Sequence, residues 1–203
     1  MSGAVMPDQE SGAPDYRPGL IICAWDPDET AWDPVEDLSG QPWNPQGART
    51  LAVAGGEPEA LAATLSSHLA DRGCRGLLLV GRTRRSDAFR LQIRAENRTI
   101  DGVHRLDVAG PGMARATAPA ADMVRALNDA GLSASASSEC EGDAGSYLLY
   151  RVLSDLPDGP ETPAIGLLRV PANQGDAAVQ RAVKTAAQAI ARHMPPLPRS
   201  RAN

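Results

Sequence analysis

The chain has 203 residues, 42% of them apolar, with a formal net charge of −5 and an isoelectric point near 5.2. An acidic chain with one Phe, three Tyr and three Trp lacks the positive field and the aromatic platforms that nucleic-acid binding requires. It contains no run of about 18 apolar residues and no secretory leader, so we expect one cytoplasmic domain that does not enter a membrane.

Strand-like and helix-like patterns alternate along the chain. The acidic, Gly- and Pro-containing residues 1–18 predict a disordered lead-in, residues 19–193 a single domain, and residues 194–203 a flexible tail. Short apolar runs predict strands over 19–24, 50–54, 76–80 and 164–170, with a strand or extended segment over 89–99. Helical spacing predicts helices over 57–72, 118–130, 145–154 and 176–193. This alternation predicts a three-layer α/β/α sandwich with a mostly parallel sheet.

Ligands of such sheets bind beyond the carboxyl ends of the strands. The loops after Ala24, Val80 and Val170 therefore mark the predicted site. No GxGxxG or Walker pattern follows a predicted strand, so we expect no nucleotide and no other cofactor.

The three cysteines, Cys23, Cys74 and Cys140, have no CxxC spacing and no nearby histidine pair. This favours reduced thiols in a cytosol and predicts no metal site. Cys140 stands between Glu139 and Glu141, and we expect their charges to raise its pKa.

Four motifs occur in order along the chain. They are AWDPDE at 24–29 followed by Asp33-Pro34, the spacing Arg90-x-x-Ile93-x-x-Glu96, the run DAGSY at 143–147, and Gly166-x-x-Arg169-Val170-Pro171. In sequence and order they resemble the pyroglutamyl peptidase I family, also called pyrrolidone-carboxylate peptidases, and DAGSY is the most specific match. The resemblance covers residues 19–193. It implies the phosphorylase/hydrolase-like fold of these cysteine peptidases, which remove N-terminal pyroglutamate and are often homo-oligomers.

The same resemblance implies that the catalytic thiol and base are missing. Direct counting puts Leu149 at the family's cysteine, although deletion of about one helical turn after Leu148 fits equally well. Arg169 stands at the family's histidine and Glu96 at its acid. Leucine cannot attack a carbonyl, and arginine stays protonated at physiological pH. We therefore expect Glu96 and Arg169 to form an ion pair, and Ser146 to cap the helix that follows.

The resemblance also implies two residues at the mouth of the site. Trp25 matches a phenylalanine that packs against the pyroglutamyl ring, and Asp28 replaces a second aromatic residue. Trp25 either lines a surviving pocket for a small-molecule or peptide ligand, or closes its loop over the sheet.

Three functions remain open from the sequence. The first is a non-catalytic protein that keeps the fold as a binding or assembly module. The second is a hydrolase or other enzyme of changed chemistry, in which Glu96, Arg169 and polar residues of the 26–29 loop act on a different ligand. The third, a working peptidase, requires an unrecognised nucleophile.

Overall fold

The computed structural model describes residues 15–25, 43–156, 159 and 161–198. Most of the predicted lead-in (1–14), the loop residues 26–42 with Asp28, and the end of the tail (199–203) lie outside this part of the chain. The strands are β1 (Gly19–Ala24), β2 (Arg49–Ala52), β3 (Cys74–Thr83), β4 (Phe89–Gln92), β5 (Arg94–Glu96), β6 (Met113–Arg115), β7 (Ala134–Ser137) and β8 (Ala164–Pro171). The helices are α1 (Pro58–Ala70), α2 (Ala120–Asp129), α3 (Ala144–Ser154) and α4 (Asp176–His193).

Six strands form the main sheet in the order β2-β1-β3-β8-β4-β7. Four of the five strand pairs are parallel, and only β4 runs antiparallel to its neighbour β8. The predicted mostly parallel sheet is therefore confirmed. Strands β5 and β6 form a separate antiparallel pair.

Helices cover both faces of this sheet, because successive side chains of each strand point to opposite sides. On one face Leu78 and Leu168 pack in one apolar cluster with residues of α2 and α4. On the other face Leu77 and Leu167 pack with residues of α1 and α3. The predicted three-layer α/β/α architecture is thus confirmed.

Local sequence explains several helix ends. Asp143 is the N-cap of α3, and its side chain accepts a hydrogen bond from the Ser146 N–H at 3.0 Å. Gly131 follows α2 with a φ of 76°, a conformation that glycine adopts without strain. Packing continues past α4, since Met194 is buried in the core and the Leu197 N–H donates to the Tyr16 carbonyl at 3.2 Å.

No helix within the described ranges is long and apolar enough to cross a bilayer.

Candidate functional site

Five polar or aromatic side chains meet near the carboxyl edge of the sheet. Trp25 follows β1, Gln92 ends β4, Arg169 lies near the end of β8, and Asp143 and Ser146 belong to the start of α3. The region predicted from the carboxyl ends of the strands is therefore where these groups converge.

Arg169 lies at the centre of this group and is only 1% exposed. Its neighbours Leu168 and Val170 belong to the cluster under α2 and α4, so its own side chain points to the α3 side of the sheet. Its Nη1 and Nη2 donate to the two carboxylate oxygens of Asp143, the Nη2 bond being 2.8 Å long. This fork geometry makes a strong, charge-assisted pair.

Two uncharged side chains also accept hydrogen bonds from the same guanidinium. The Gln92 Oε1 accepts from Nε at 3.1 Å and from Nη2 at 2.9 Å. The Ser146 Oγ accepts from Nη2 at 3.0 Å and is also bonded to the Gln92 amide. Ser146 therefore does not cap α3 as we expected. The cap is Asp143, and the Ser146 hydroxyl is turned to the buried arginine.

The indole of Trp25 covers the guanidinium. The Arg169 Cζ lies 5.1 Å from the ring centroid, and Trp25 is 7% exposed. Two glycines make room for the ring: a Cβ on Gly81 would stand 2.1 Å from it, and a Cβ on Gly145 would stand 2.5 Å from it. The ring thus occupies a slot bounded by two glycine backbones and a cation.

Two arginines lie directly opposite each other across β4 and β8. Arg90 is paired with Arg169 in the register, and like charges in such positions repel. Acidic residues separate them: the Glu141 Oε1 is 4.0 Å from the Arg90 Nη1 and 3.9 Å from the Arg169 Nε, and the Glu139 carboxylate is 2.9 Å from the Arg90 Nη2.

The acids come from one segment in which they alternate with small residues. Glu139, Glu141 and Asp143 all contact one or both arginines, whereas Cys140 is hydrogen-bonded to the Arg94 carbonyl, 3.4 Å away. Burial is the main cause that raises the pKa of Cys140, followed by the charge of Glu96. The predicted increase of the Cys140 pKa is confirmed, but its predicted cause is wrong. The flanking acids, Glu139 and Glu141, are directed to the arginines instead.

Glu96 does not pair with Arg169, and that prediction is wrong. Glu96 lies on β5, outside the main sheet, and its carboxylate is 2.9 Å from the Arg98 Nε. Among the described residues, the oxygens that Arg169 contacts belong to Asp143, Gln92, Ser146 and, more distantly, Glu141. An acid that orients a base must touch it, and Asp143 and Gln92 touch Arg169 whereas Glu96 does not. The assignment of Glu96 to the family's acid stays a prediction without this contact.

A small cavity lies beside these residues. It has a volume of about 190 Å³, and its lining includes Glu96, Cys140, Asp143, Ser146 and Tyr147. Glu96 therefore borders the same cavity as the α3 N-terminus, although it is not bonded to Arg169.

Leu149 is fully buried in the apolar cluster of α1 and α3. Whether it replaces the family's cysteine directly stays a prediction. The three thiols are free. Burial raises the pKa of Cys23 to about 12 and also raises that of Cys74, so both are protonated at neutral pH.

No protein-family model matches the sequence, and no curated protein was found to be similar to it. Solved structures are similar. The pyrrolidone carboxyl peptidase of Thermus thermophilus is 20% identical, with a TM-score of 0.68 over 84% of this chain and 98% of the other. Pyroglutamyl peptidase I of Bacillus amyloliquefaciens is 14% identical, with a TM-score of 0.71 over 86% and 95% of the two chains. The pyrrolidone carboxyl peptidase of Thermococcus litoralis is 15% identical, with a TM-score of 0.67 over 87% and 94%.

Proposed function

From the premise that this chain has the fold of pyroglutamyl peptidase I, we propose that it is a pyroglutamyl-peptidase-like protein without cysteine-peptidase activity, which serves as a binding or assembly module. The observation that carries the proposal is the buried Arg169, bonded to Asp143, Gln92 and Ser146 where the resemblance places a base.

The side chains that the resemblance places at the nucleophile and the base, Leu149 and Arg169, cannot perform these roles. Leu149 has no reactive group, and the Cys140 thiol is bonded to a carbonyl with its pKa raised. A guanidinium stays protonated at physiological pH, so Arg169 cannot accept a proton from a thiol and pass it to a leaving amine.

The space over Arg169 is also occupied. The Trp25 indole lies in the slot between Gly81 and Gly145, where it blocks access to the guanidinium face. The adjoining cavity of about 190 Å³ is below the usual range of ligand pockets, about 300–1,000 Å³. This volume accommodates a small molecule or the end of a peptide better than it accommodates several residues of a peptide substrate.

Assembly is supported by exposed apolar side chains on one segment. Ile100, Val103, Val108 and Met113 are large, apolar and exposed, and all lie within 100–113. Such clustering is typical of contact surfaces, so a homo-oligomer forms part of the proposal. Light scattering after size exclusion tests it: a monomer at micromolar concentration contradicts the assembly role.

A cytoplasmic location is likewise proposed, because three free cysteines suit a reducing compartment.

The alternative is an enzyme of changed chemistry that uses Glu96 and Arg169 together. Its support is the retention of Glu96 at the position of the family's acid. Since Glu96 is paired with Arg98, no observed contact favours this function over the first.

Hydrolysis of a pyroglutamyl-coumarin substrate by the purified protein tests the proposal. We expect no turnover above buffer, with or without iodoacetamide. Turnover that alkylation abolishes would contradict the proposal, and loss of that turnover in Cys140→Ser would identify Cys140 as the nucleophile. Turnover insensitive to alkylation would instead favour changed chemistry, which Glu96→Gln then tests.

A restored variant tests whether the scaffold still positions a site. It carries Leu149→Cys, Arg169→His and Gln92→Glu, because Gln92 contacts position 169 from the neighbouring strand β4. The matched control is the same variant with Leu149→Ser. Alkylation-sensitive activity in the first and none in the second would show that the loss of chemistry lies in these side chains.

A further inference from the structure

A second cavity lies at the opposite, amino edge of the sheet, away from the site described above. It has a volume of about 430 Å³, between the ends of α1 and α3 and the starts of β3 and β8. Apolar side chains form much of its lining, among them Leu69, Cys74, Val152, Leu156 and Pro163. Its size and its apolar walls are those of small-molecule sites.

One cation in this lining is nearly buried and incompletely bonded. The side chain of Arg75 is 11% exposed, and its Nε is a buried donor with no hydrogen-bond partner among the described residues. Its Nη1 donates to the Glu161 carbonyl at 3.1 Å, and its Nη2 lies 3.2 Å from the Glu161 Oε2. A buried N–H without an acceptor is energetically unfavourable.

Among the described residues, the carboxylate paired with this guanidinium comes from an exposed side chain. Glu161 is 71% exposed, and an ion pair with an exposed partner contributes little to stability. Its carboxylate can therefore leave at little expense in free energy. A departing Glu161 would free the Nη2 donor, which lies on the same edge of the guanidinium as the Nε.

We propose that this cavity is a binding site for a small carboxylate with an apolar body, whose carboxylate replaces that of Glu161 on Arg75. Two donors on one edge of a guanidinium match the two oxygens of a carboxylate, which gives the bound ligand a bidentate contact that Glu161 does not make. The apolar body packs against Leu69, Val152 and Leu156. An amine or an alcohol of the same length lacks the group that Arg75 recognises.

Hexanoate is the probe, with hexanol and hexylamine as matched controls. Methyl resonances of Leu69 and Val152 are followed by NMR during each titration. We expect hexanoate to shift them with a dissociation constant on the order of 1 mM, and the other two probes to bind at least about tenfold more weakly.

Variants separate the role of Arg75 from general charge. Glu161→Gln removes the competing carboxylate, so hexanoate binds about two- to fivefold more tightly. Arg75→Gln abolishes binding, whereas Arg72→Gln, which removes another cation of the same lining, changes it less than about twofold. The proposal is overturned if hexanoate does not shift these methyl groups, if hexanol binds equally well, or if Glu161→Gln weakens binding. Hexanoate binding to Glu161→Gln still tests the proposal if Arg75→Gln fails to fold.

Discussion

Replacement of Asp143 by alanine should destabilise this protein more than any exposed charge change. Asp143 has two roles, since its carboxylate caps α3 and also pairs with the buried Arg169. Loss of the cap removes about 1 kcal/mol, and an unpaired buried charge costs about 3 kcal/mol or more. We therefore expect Asp143→Ala to lower the free energy of unfolding by about 4 kcal/mol.

The partner variant and the double variant isolate the pair. Arg169→Met leaves Asp143 able to cap the helix, and we expect a loss of about 2 kcal/mol from the hydrogen bonds of Gln92 and Ser146. In the double variant no buried charge is left unpaired, so the loss should be only about 3 kcal/mol. The coupling energy between the two positions is then about 3 kcal/mol.

Urea denaturation followed by far-UV circular dichroism measures these values, because tryptophan fluorescence would respond to Trp25 directly. Glu139→Ala is the matched control: its carboxylate also binds an arginine, Arg90, but is exposed, so its loss should cost at most about 1 kcal/mol. The reasoning is refuted if Asp143→Ala costs no more than Glu139→Ala, or if the single effects simply add in the double variant.

Three further predictions concern backbone space and thiol ionisation. Gly145→Ala should lower the free energy of unfolding by about 1–3 kcal/mol, although alanine favours helices, because the new Cβ meets the Trp25 ring. The control Gly142→Ala, whose Cβ would stand in open space, should be nearly neutral. A Gly145→Ala variant that is more stable than the parent in urea denaturation contradicts this prediction. Gly131→Ala should cost about 1 kcal/mol by its positive φ, and an unchanged melt would disprove it. The raised pKa of Cys23 disfavours the thiolate in the folded state, so stability should fall by up to about 1.4 kcal/mol per pH unit from about pH 9 to 12. Cys23→Ala should flatten that decline, and identical alkaline titrations would refute the assignment.

The sequence predicted the elements whose local pattern agrees with their tertiary setting. Helix α4 has the predicted bounds because its apolar seam is continuous, and Gly131 ends the α2 region as expected. Strands β6 and β7 were not predicted. They have three and four residues, of Ala, Ser, Met and Arg, and are held by pairing with β5 and β4 rather than by β-branched side chains.

Polar side chains meet near the predicted edge of the sheet, but their charge pairs differ from the predicted one. Spacing alone matched Glu96 to an acid, although a residue four positions earlier touches Arg169. Strand alternation held the missing signal: Arg90 and Gln92 share one side of β4, and Glu139, Glu141 and Asp143 alternate in the same way. These two sets of residues face each other only because β4 pairs with β8 in the antiparallel direction. That pairing cannot be predicted from the local sequence of either strand.

The opposed arginines constrain how this site can change by mutation. Three carboxylates are arranged around two cations, so a change of Arg169 to an uncharged residue leaves the remaining arginine with excess negative charge. Replacement of Trp25 by a smaller residue leaves a void between Gly81 and Gly145. A larger residue at either glycine collides with the Trp25 ring unless the tryptophan is replaced as well. Substitutions here are therefore strongly epistatic. A histidine at position 169 would therefore be accommodated only if several of these residues changed together.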